Sequence, residues 1–259
     1  MDIIACIKTV PDASQLDTLK IDAAQKEIEK DGLIFKINEW DEYVLETAAR
    51  VKEKQGGTFT AITAGPQGWD ENLRRALAMT ADRAIRIDED LTTAEPSVVA
   101  RVLANIIEGL PYDLILFGAQ SEDFNSGQLG CMVAEMLGIP HATMIVELEA
   151  GEKTIQVKRE LEAGAFENYT LELPALLTIQ TGINQPRYLS VSAIRRSMKT
   201  ELQIVSLDQI DASPMEKTPM VKLEKLELPP QGKRAEIITG SPDESAEKLA
   251  KIIKNAGIL

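Results

Sequence analysis

A loop at residues 118–130, "GAQSEDFNSGQLG", is small, polar and rich in hydrogen-bonding groups. The aliphatic run "DLILF" precedes it and the amphipathic stretch "CMVAEMLGI" follows it, which predicts a strand-to-helix connection. The first N–H groups of a helix have no intrahelical partner, and the helix dipole favours an anion. The stretch 125–128 therefore predicts a cradle for a phosphate, with Gly127 allowing close approach. The alternative is that Asn125 or Ser126 only caps the helix.

The same loop lacks the residues that catalysis would need. It has neither the lysine of a P-loop nor the glycine spacing of a dinucleotide fingerprint, so nucleotide hydrolysis is not indicated. The chain has one histidine, His141, which disfavours a histidine-based triad or a multi-histidine metal site. We therefore expect no catalytic residue and no metal ligand in this chain.

Composition restricts the class of protein further. The net charge of −13 disfavours nucleic acid as the main partner. Cys6 and Cys131 form neither a zinc spacing nor a disulfide framework, which predicts a reducing, cytoplasmic location. No apolar run approaches the length of a membrane span.

Strand and helix patterns alternate along the first half of the chain. Strands are predicted at 2–8, 58–65, 83–88 and 113–118, and helices at 41–55, 71–79, 96–110 and 127–137. This order predicts a three-layer α/β fold, with a mostly parallel sheet and helices on both faces, as in a Rossmann-like nucleotide-binding domain.

Two further loops are expected beside the first one. Residues 6–12 follow the first predicted strand and residues 62–79 follow the second. Ligands of open parallel sheets bind beyond the carboxyl ends of the strands. The three loops together predict a nucleotide-binding crevice.

The second half of the chain shows a different pattern. Residues 142–164 and 167–182 alternate with a period of two, which predicts antiparallel structure with a hairpin at "EAGEK". We expect an α/β domain at 1–200, followed at 201–259 by a proline-rich extended arm and a final amphipathic helix. We interpret the arm as wrapping a partner subunit; the alternative is an unstructured tail whose helix docks on the chain's own domain.

Several motifs in order along the chain carry a resemblance to a known family. They are "CIKTVPD", "INEWDEYVLETAARVKEKQGG", "GAQSEDFNSGQLG", "VKRELEAG", "LPALLTIQTGINQPRYLSVSAI" and "PPQGKRA". Together they resemble the β subunit of an electron-transfer flavoprotein, from about residue 2 to the C-terminus. The resemblance implies a heterodimer whose α subunit carries FAD and is wrapped by the arm at 201–259.

The resemblance also implies the function of the complex. Electrons pass from a flavin-dependent dehydrogenase, such as an acyl-CoA dehydrogenase, to the α-subunit FAD and on to a downstream acceptor. The β subunit is then an electron-carrier subunit rather than an enzyme, and it holds a structural AMP. The residues that this implies for the AMP site are Cys6, Asn38, Ala64, Asp123, Asn125, Ser126, Gly127, Gln128 and Leu129. Trp40 stands where relatives place an aromatic residue near the flavin edge; the competing interpretation is a core tryptophan.

One branch of the family holds a second FAD in place of AMP, oxidises NADH and bifurcates its electrons. That branch typically has the pattern Asp-Gly-Asp-Thr-Ala-Gln-Val-Gly-Pro in this loop. Here Phe124 replaces its glycine, Asn125 its second aspartate and Cys131 its proline, while residues 38–42 resemble members that hold AMP. The resemblance therefore favours AMP, and a second FAD stays the alternative.

The stretch 183–198 is similar to the family's recognition loop for the dehydrogenase. In relatives, an apolar residue three positions after a tyrosine enters a pocket of the partner, and here that residue is Val191. The residues implied for recognition are Tyr188, Val191, Ile194, Arg195 and Arg196. The alternative is an amphipathic helix packed on its own domain.

A last pair, Arg159 and Glu160, matches residues at the family's subunit junction. The resemblance implies that Glu160 pairs with an arginine on the mobile FAD domain of the α subunit. An exposed pair adds little stability, but it can favour one domain orientation over another.

Overall fold

A computed structural model describes residues 1–92, 94–207, 221, 223–228 and 235–257. The strands of this part of the chain are β1 (Asp2–Cys6), β2 (Thr9–Pro11), β3 (Phe35–Ile37), β4 (Thr58–Ala64), β5 (Arg83–Ile87), β6 (Leu114–Gly118), β7 (His141–Ala150), β8 (Thr154–Glu160), β9 (Phe166–Glu172), β10 (Ala175–Ile179) and β11 (Gln203–Val205). The helices are α1 (Glu39–Gln55), α2 (Asp70–Ala78), α3 (Pro96–Glu108), α4 (Leu129–Leu137), α5 (Val191–Ser197) and α6 (Pro242–Asn255).

The main sheet has nine strands in the order β11-β5-β4-β1-β6-β10-β7-β8-β9. Neighbours from β11 to β7 are parallel, while β8 and β9 continue the sheet with antiparallel pairing. Strands β2 and β3 form a separate antiparallel pair. These pairings confirm the mostly parallel α/β sheet and the β7–β8 hairpin.

Alternate residues of each parallel strand serve different cores, because successive side chains of a strand point to opposite faces. Ile3 and Ala5 of β1 join a core that includes residues of α1 and α2. Ile4 and Cys6 join a second core with residues of α3 and α4. Helices therefore cover both faces of the sheet, as predicted.

Strand β10 corrects the sequence interpretation. The sequence pattern predicts antiparallel structure for residues 167–182, and β9 does pair antiparallel with β8. However, β10 lies between β6 and β7 and is parallel to both. All five of its residues are buried, without alternation, which is typical of a strand covered on both faces in a parallel sheet.

The α/β body continues past residue 200, because β11 pairs with β5. One compact unit comprises Met1–Lys225 and a second one Leu226–Leu259. In the second unit α6 begins at a capping box, in which Ser241 and Glu244 satisfy each other's backbone N–H groups. Parts of the expected arm, residues 208–220, 222, 229–234 and 258–259, lie outside the described residues, and its contact with a partner stays a prediction. No helix in the described ranges is long and apolar enough to cross a membrane.

Candidate functional site

A cleft lies beyond the carboxyl ends of β1, β4 and β6, where the sequence predicts a crevice. The loop between β6 and α4 borders one part of it. The connection from β5 to α3, together with α3 itself, contributes a mainly apolar part that includes Leu91, Val99 and Leu103. The cleft therefore combines a polar loop with an apolar surface that suits an uncharged ring.

The connecting loop does not end in an ordinary helix cap. Helix α4 begins at Leu129, and Gln128 is its N-cap residue without a side-chain cap hydrogen bond. The N–H of Asn125 donates to Ser121 O at 2.9 Å. Gly127 has a φ of 60°, which a glycine adopts at little cost. The alternative that Asn125 or Ser126 caps the helix is therefore wrong, and the start of α4 faces the cleft.

Asn38 holds this loop in place. Its side chain is buried, and its Nδ2 donates to Gln120 O at 2.9 Å. Its Oδ1 accepts the N–H of Glu122 at 3.0 Å. Because both the amide nitrogen and the amide oxygen bond the loop backbone, Asn38 orders this loop. Its partners are more than 80 residues away along the chain, so the sequence pattern did not indicate this role.

Asp41 is a cleft residue that the sequence analysis missed. It is buried and accepts the N–H of Lys8 on Oδ2 at 2.7 Å. Burial raises its pKa to about 7, although hydrogen bonds from the backbone of Lys8 and Gly118 act in the opposite direction. Any Cβ on Gly118 would lie 2.4 Å from Asp41 Oδ1, so position 118 has no room for a side chain.

The thiol of Cys6 lies in the same part of the cleft. Burial raises its pKa strongly, and the charge of Asp41 raises it further. The thiol is therefore protonated at neutral pH and is a poor nucleophile. Both cysteines of the chain are free. Among the described residues, no group of three or more potential metal ligands comes together.

Most of the residues expected to contact a nucleotide do meet in the cleft. They are Cys6, Asn38, Ala64, Ser126, Gly127, Gln128 and Leu129. Asp123 and Asn125 belong to the loop but are not among the lining residues; Asp123 pairs with Lys8 instead. Trp40, in the first turn of α1, also lies outside the lining and is partly buried. Its indole N–H donates to Gln180 Oε1 at 2.8 Å, and its approach to a flavin stays a prediction.

The stretch 183–198 is fixed to α1 at its beginning. Asn184 Nδ2 donates to Thr47 Oγ1 at 2.8 Å. Arg187 pairs with Glu46 at 2.7 Å and with Glu53 at 2.6 Å. Burial alone would raise the pKa of Glu46, but the hydrogen bonds from its arginine partners bring it below its usual value. The base of this stretch is therefore held by buried or partly buried polar contacts.

Beyond that base, the stretch exposes an apolar row. Helix α5 begins at Val191 after the N-cap Ser190, whose Oγ accepts the N–H of Ala193, and it buries Ala193 and Ser197. Its other side is exposed, including Arg195 and Arg196. The exposed fractions of the apolar row are 100% for Tyr188, 68% for Val191, 41% for Ile194 and 61% for Met198. Helix α5 thus packs on its own domain and still leaves an apolar surface free.

Arg159 and Glu160 lie at the end of β8. Glu160 is exposed, and Arg159 is opposite Glu167 of β9. Nearby, the Lys158 ammonium lies 4.4 Å from the ring centre of Phe166. Whether Glu160 meets an arginine of another subunit stays a prediction.

Comparison with known proteins decides the family. Residues 27–210 match the family model described as the electron transfer flavoprotein domain. The chain belongs to the electron transfer flavoprotein family. It is 36% identical over 230 residues to the electron transfer flavoprotein subunit beta of Bacillus subtilis, which covers 88% of this chain and 89% of that protein.

Other relatives extend the match over the rest of the chain. The electron transfer flavoprotein subunit beta of Methylophilus methylotrophus is 32% identical over 98% of both chains. The subunit beta of Mus musculus is 32% identical over 88% of this chain and 87% of its own. These matches confirm the resemblance to electron transfer flavoprotein β subunits, and with it an electron-transfer role.

Proposed function

We propose that this chain is the β subunit of a heterodimer in which an α subunit carries FAD. A dehydrogenase reduces that FAD, and a downstream acceptor reoxidises it. The chain here holds AMP and docks the dehydrogenase, as an electron-carrier subunit rather than an enzyme. The observation that carries the AMP proposal is the cleft itself, in which the start of α4, Gly127 and the buried Asn38 converge.

One part of the cleft suits the phosphate of a mononucleotide, and the other part suits its base. Residues 126–128 and the first turn of α4 would receive the phosphate through backbone N–H groups. Leu91, Val99 and Leu103 offer apolar contact to a base. Phe124 also lines the cleft. The resemblance implies that the FAD-holding branch of the family typically has a glycine at this position. The phenyl ring occupies volume that a glycine would leave open, which supports AMP over a second FAD.

The docking proposal rests on the row Tyr188, Val191, Ile194 and Met198. A small apolar anchor surrounded by charged residues is typical of a transient interface with a single binding hot spot. Arg195 and Arg196 are exposed beside the row, so the matching surface of the dehydrogenase should be apolar with an acidic rim. An acyl-CoA dehydrogenase is our candidate class of partner, and a cytoplasmic location stays a prediction.

Cofactor analysis of the purified heterodimer tests the AMP proposal. We expect one FAD and one AMP per heterodimer, measured after denaturation by chromatography of the released nucleotides. Two FAD and no AMP would contradict the proposal. That result would favour the second candidate, an NADH-oxidising bifurcating flavoprotein with FAD in this cleft.

A further inference from the structure

We infer that Lys8 is a positioning residue of the nucleotide cleft, which acts through Asp123 rather than by contacting the phosphate. The inference rests on the proposed AMP site. Lys8 follows β1, and its Nζ lies 2.6 Å and 2.8 Å from the two carboxylate oxygens of Asp123. The same ammonium lies 4.6 Å from the ring centre of Phe124. The two loop residues just before Asn125 therefore share one cation.

The main chain of Lys8 is fixed at the cleft. Its N–H donates to the buried Asp41 at 2.7 Å, and its carbonyl oxygen accepts the N–H of Asn38 at 2.9 Å. The side chain thus extends from a rigid point towards the loop. Asn38 binds the same loop through Gln120 and Glu122, so Lys8 and Asn38, which are hydrogen-bonded to each other, hold the loop at successive positions.

The charge of the loop explains why it needs a cation. Glu122 and Asp123 precede the residues expected to receive a phosphate, with only Phe124 between them, and two free carboxylates there would repel the phosphate. Lys36 Nζ lies 3.1 Å from Glu122, and Lys8 neutralises Asp123. The ion pairs remove the repulsion and fix the loop, which leaves the backbone N–H groups to bind the anion. Direct contact between Lys8 and the phosphate is the competing role, since Lys8 also lines the cleft.

A double-mutant cycle in the purified heterodimer separates the two roles. The variants are Lys8→Met, Asp123→Asn and the combination of both, and the probes are AMP and adenosine, titrated by calorimetry after bound nucleotide has been removed. We expect Lys8→Met to weaken AMP binding ~10-fold or more, because it leaves Asp123 uncompensated. Asp123→Asn alone should weaken AMP less, because it removes the repelling carboxylate and loses only the ion pair that fixes the loop. The double variant should regain most of the affinity that Lys8→Met lost.

Adenosine identifies a merely structural effect. Because it lacks the phosphate, its affinity should be the same in all three variants and the wild type. Equal losses for AMP and adenosine would overturn the inference, since they would mean that the whole cleft is distorted. Lys52→Met is the matched control: its ammonium lies 2.7 Å from Asp82, and both residues lie away from the cleft.

Direct contact predicts other results. If Lys8 bound the phosphate, Asp123→Asn alone would strengthen AMP binding and the double variant would be as weak as Lys8→Met. Either outcome overturns the inference. If the Lys8→Met variant does not assemble, Asp123→Asn still separates the two roles, because AMP binding weakens under one and strengthens under the other. Lys8→Arg should keep wild-type affinity for AMP because it keeps the ion pair.

The wild type distinguishes failure of the inference from failure of the proposed function. A wild-type complex that binds AMP together with an unaffected Lys8→Met variant would overturn the role of Lys8 alone. A wild-type complex that binds no adenine nucleotide would overturn both proposals.

Discussion

The carboxylate of Glu46 lies 2.7 Å from the guanidinium of Arg187, although 141 residues separate the two along the chain. Glu46 is in the middle of α1, and Arg187 directly precedes the fully exposed Tyr188. The first turn of the same helix carries Asp41 at the cleft. One helix therefore supports both the cleft and the exposed apolar row that begins at Tyr188.

Replacing Arg187 by Met should destabilise this arrangement. Removing one partner of a buried carboxylate is costly, but Arg50 still reaches Glu46 at 2.6 Å, so we expect a loss of about 1–3 kcal/mol. Denaturant unfolding of the heterodimer measures it. Lys54→Met, at a position on the same helix, breaks an exposed pair with Glu149 of β7 and should cost less than about 0.5 kcal/mol. Equal losses in the two variants would show that the buried pair has no special role.

The pH dependence of stability should follow the same pair. The pKa of Glu46 is below its usual 4.5 in the folded chain, so its contribution is present above that value and is lost as the pH falls through the folded pKa. Arg187→Met should therefore lose less stability than the wild type between pH 5 and 3. Unfolding midpoints measured across this range test it, and parallel curves for the two proteins would contradict it.

Asp41 should make stability change with pH in the opposite direction. Its pKa rises from 3.8 in the unfolded chain to about 7 in the folded one, so the contribution is present below 3.8 and is lost as the pH rises through about 7. The slope should be at most about 1.4 kcal/mol per pH unit. Asp41→Asn should flatten the decline in stability between pH 4 and 7. If stability declines as steeply in Asp41→Asn as in the wild type, another titrating group causes the decline.

Gly127 offers a test of the phosphate cradle. Its φ of 60° disfavours a β-branched residue, and a Cβ would lie 3.4 Å from Ala119 O. Gly127→Val should remove AMP from the complex and leave FAD in place, as measured from the released nucleotides. Gly138→Val is the control, because Gly138 has a φ of 65° at the other end of α4 and open space around its Cβ position. AMP lost equally in both variants would indicate general damage to α4.

Val191 tests the docking surface. Val191→Asp places a charge in the exposed apolar row without touching a core, so the heterodimer should assemble with normal cofactor content. Reduction of its flavin by an acyl-CoA dehydrogenase with an acyl-CoA substrate should fall ~100-fold or more, as for an interface hot spot. Ile34→Asp, at another exposed apolar position outside this row, is the control. A variant that also lacks FAD would show that Val191 is structural.

The sequence predicted the features that follow from local pattern. The loops around Cys6, Ala64 and Gly127 could be placed at one edge because the carboxyl ends of parallel strands meet there. The position of β10 was missed because its buried run followed an alternating one, and a short apolar run does not reveal its partners. The loop contacts of Asn38 join residues far apart along the chain, and a single sequence gives no signal for them.

Residues 183–198 divide into an inward-facing set and an outward-facing set, and this division affects how related proteins can diverge. Asn184, Arg187, Ala193 and Ser197 face the chain's own helices, whereas Tyr188, Val191, Ile194 and Met198 face outward. The outward set can therefore be exchanged between relatives without rebuilding the scaffold. A graft that transfers the inward set as well must also bring Glu46 and Glu53, since the carboxylates that receive Arg187 are encoded in a distant part of the gene.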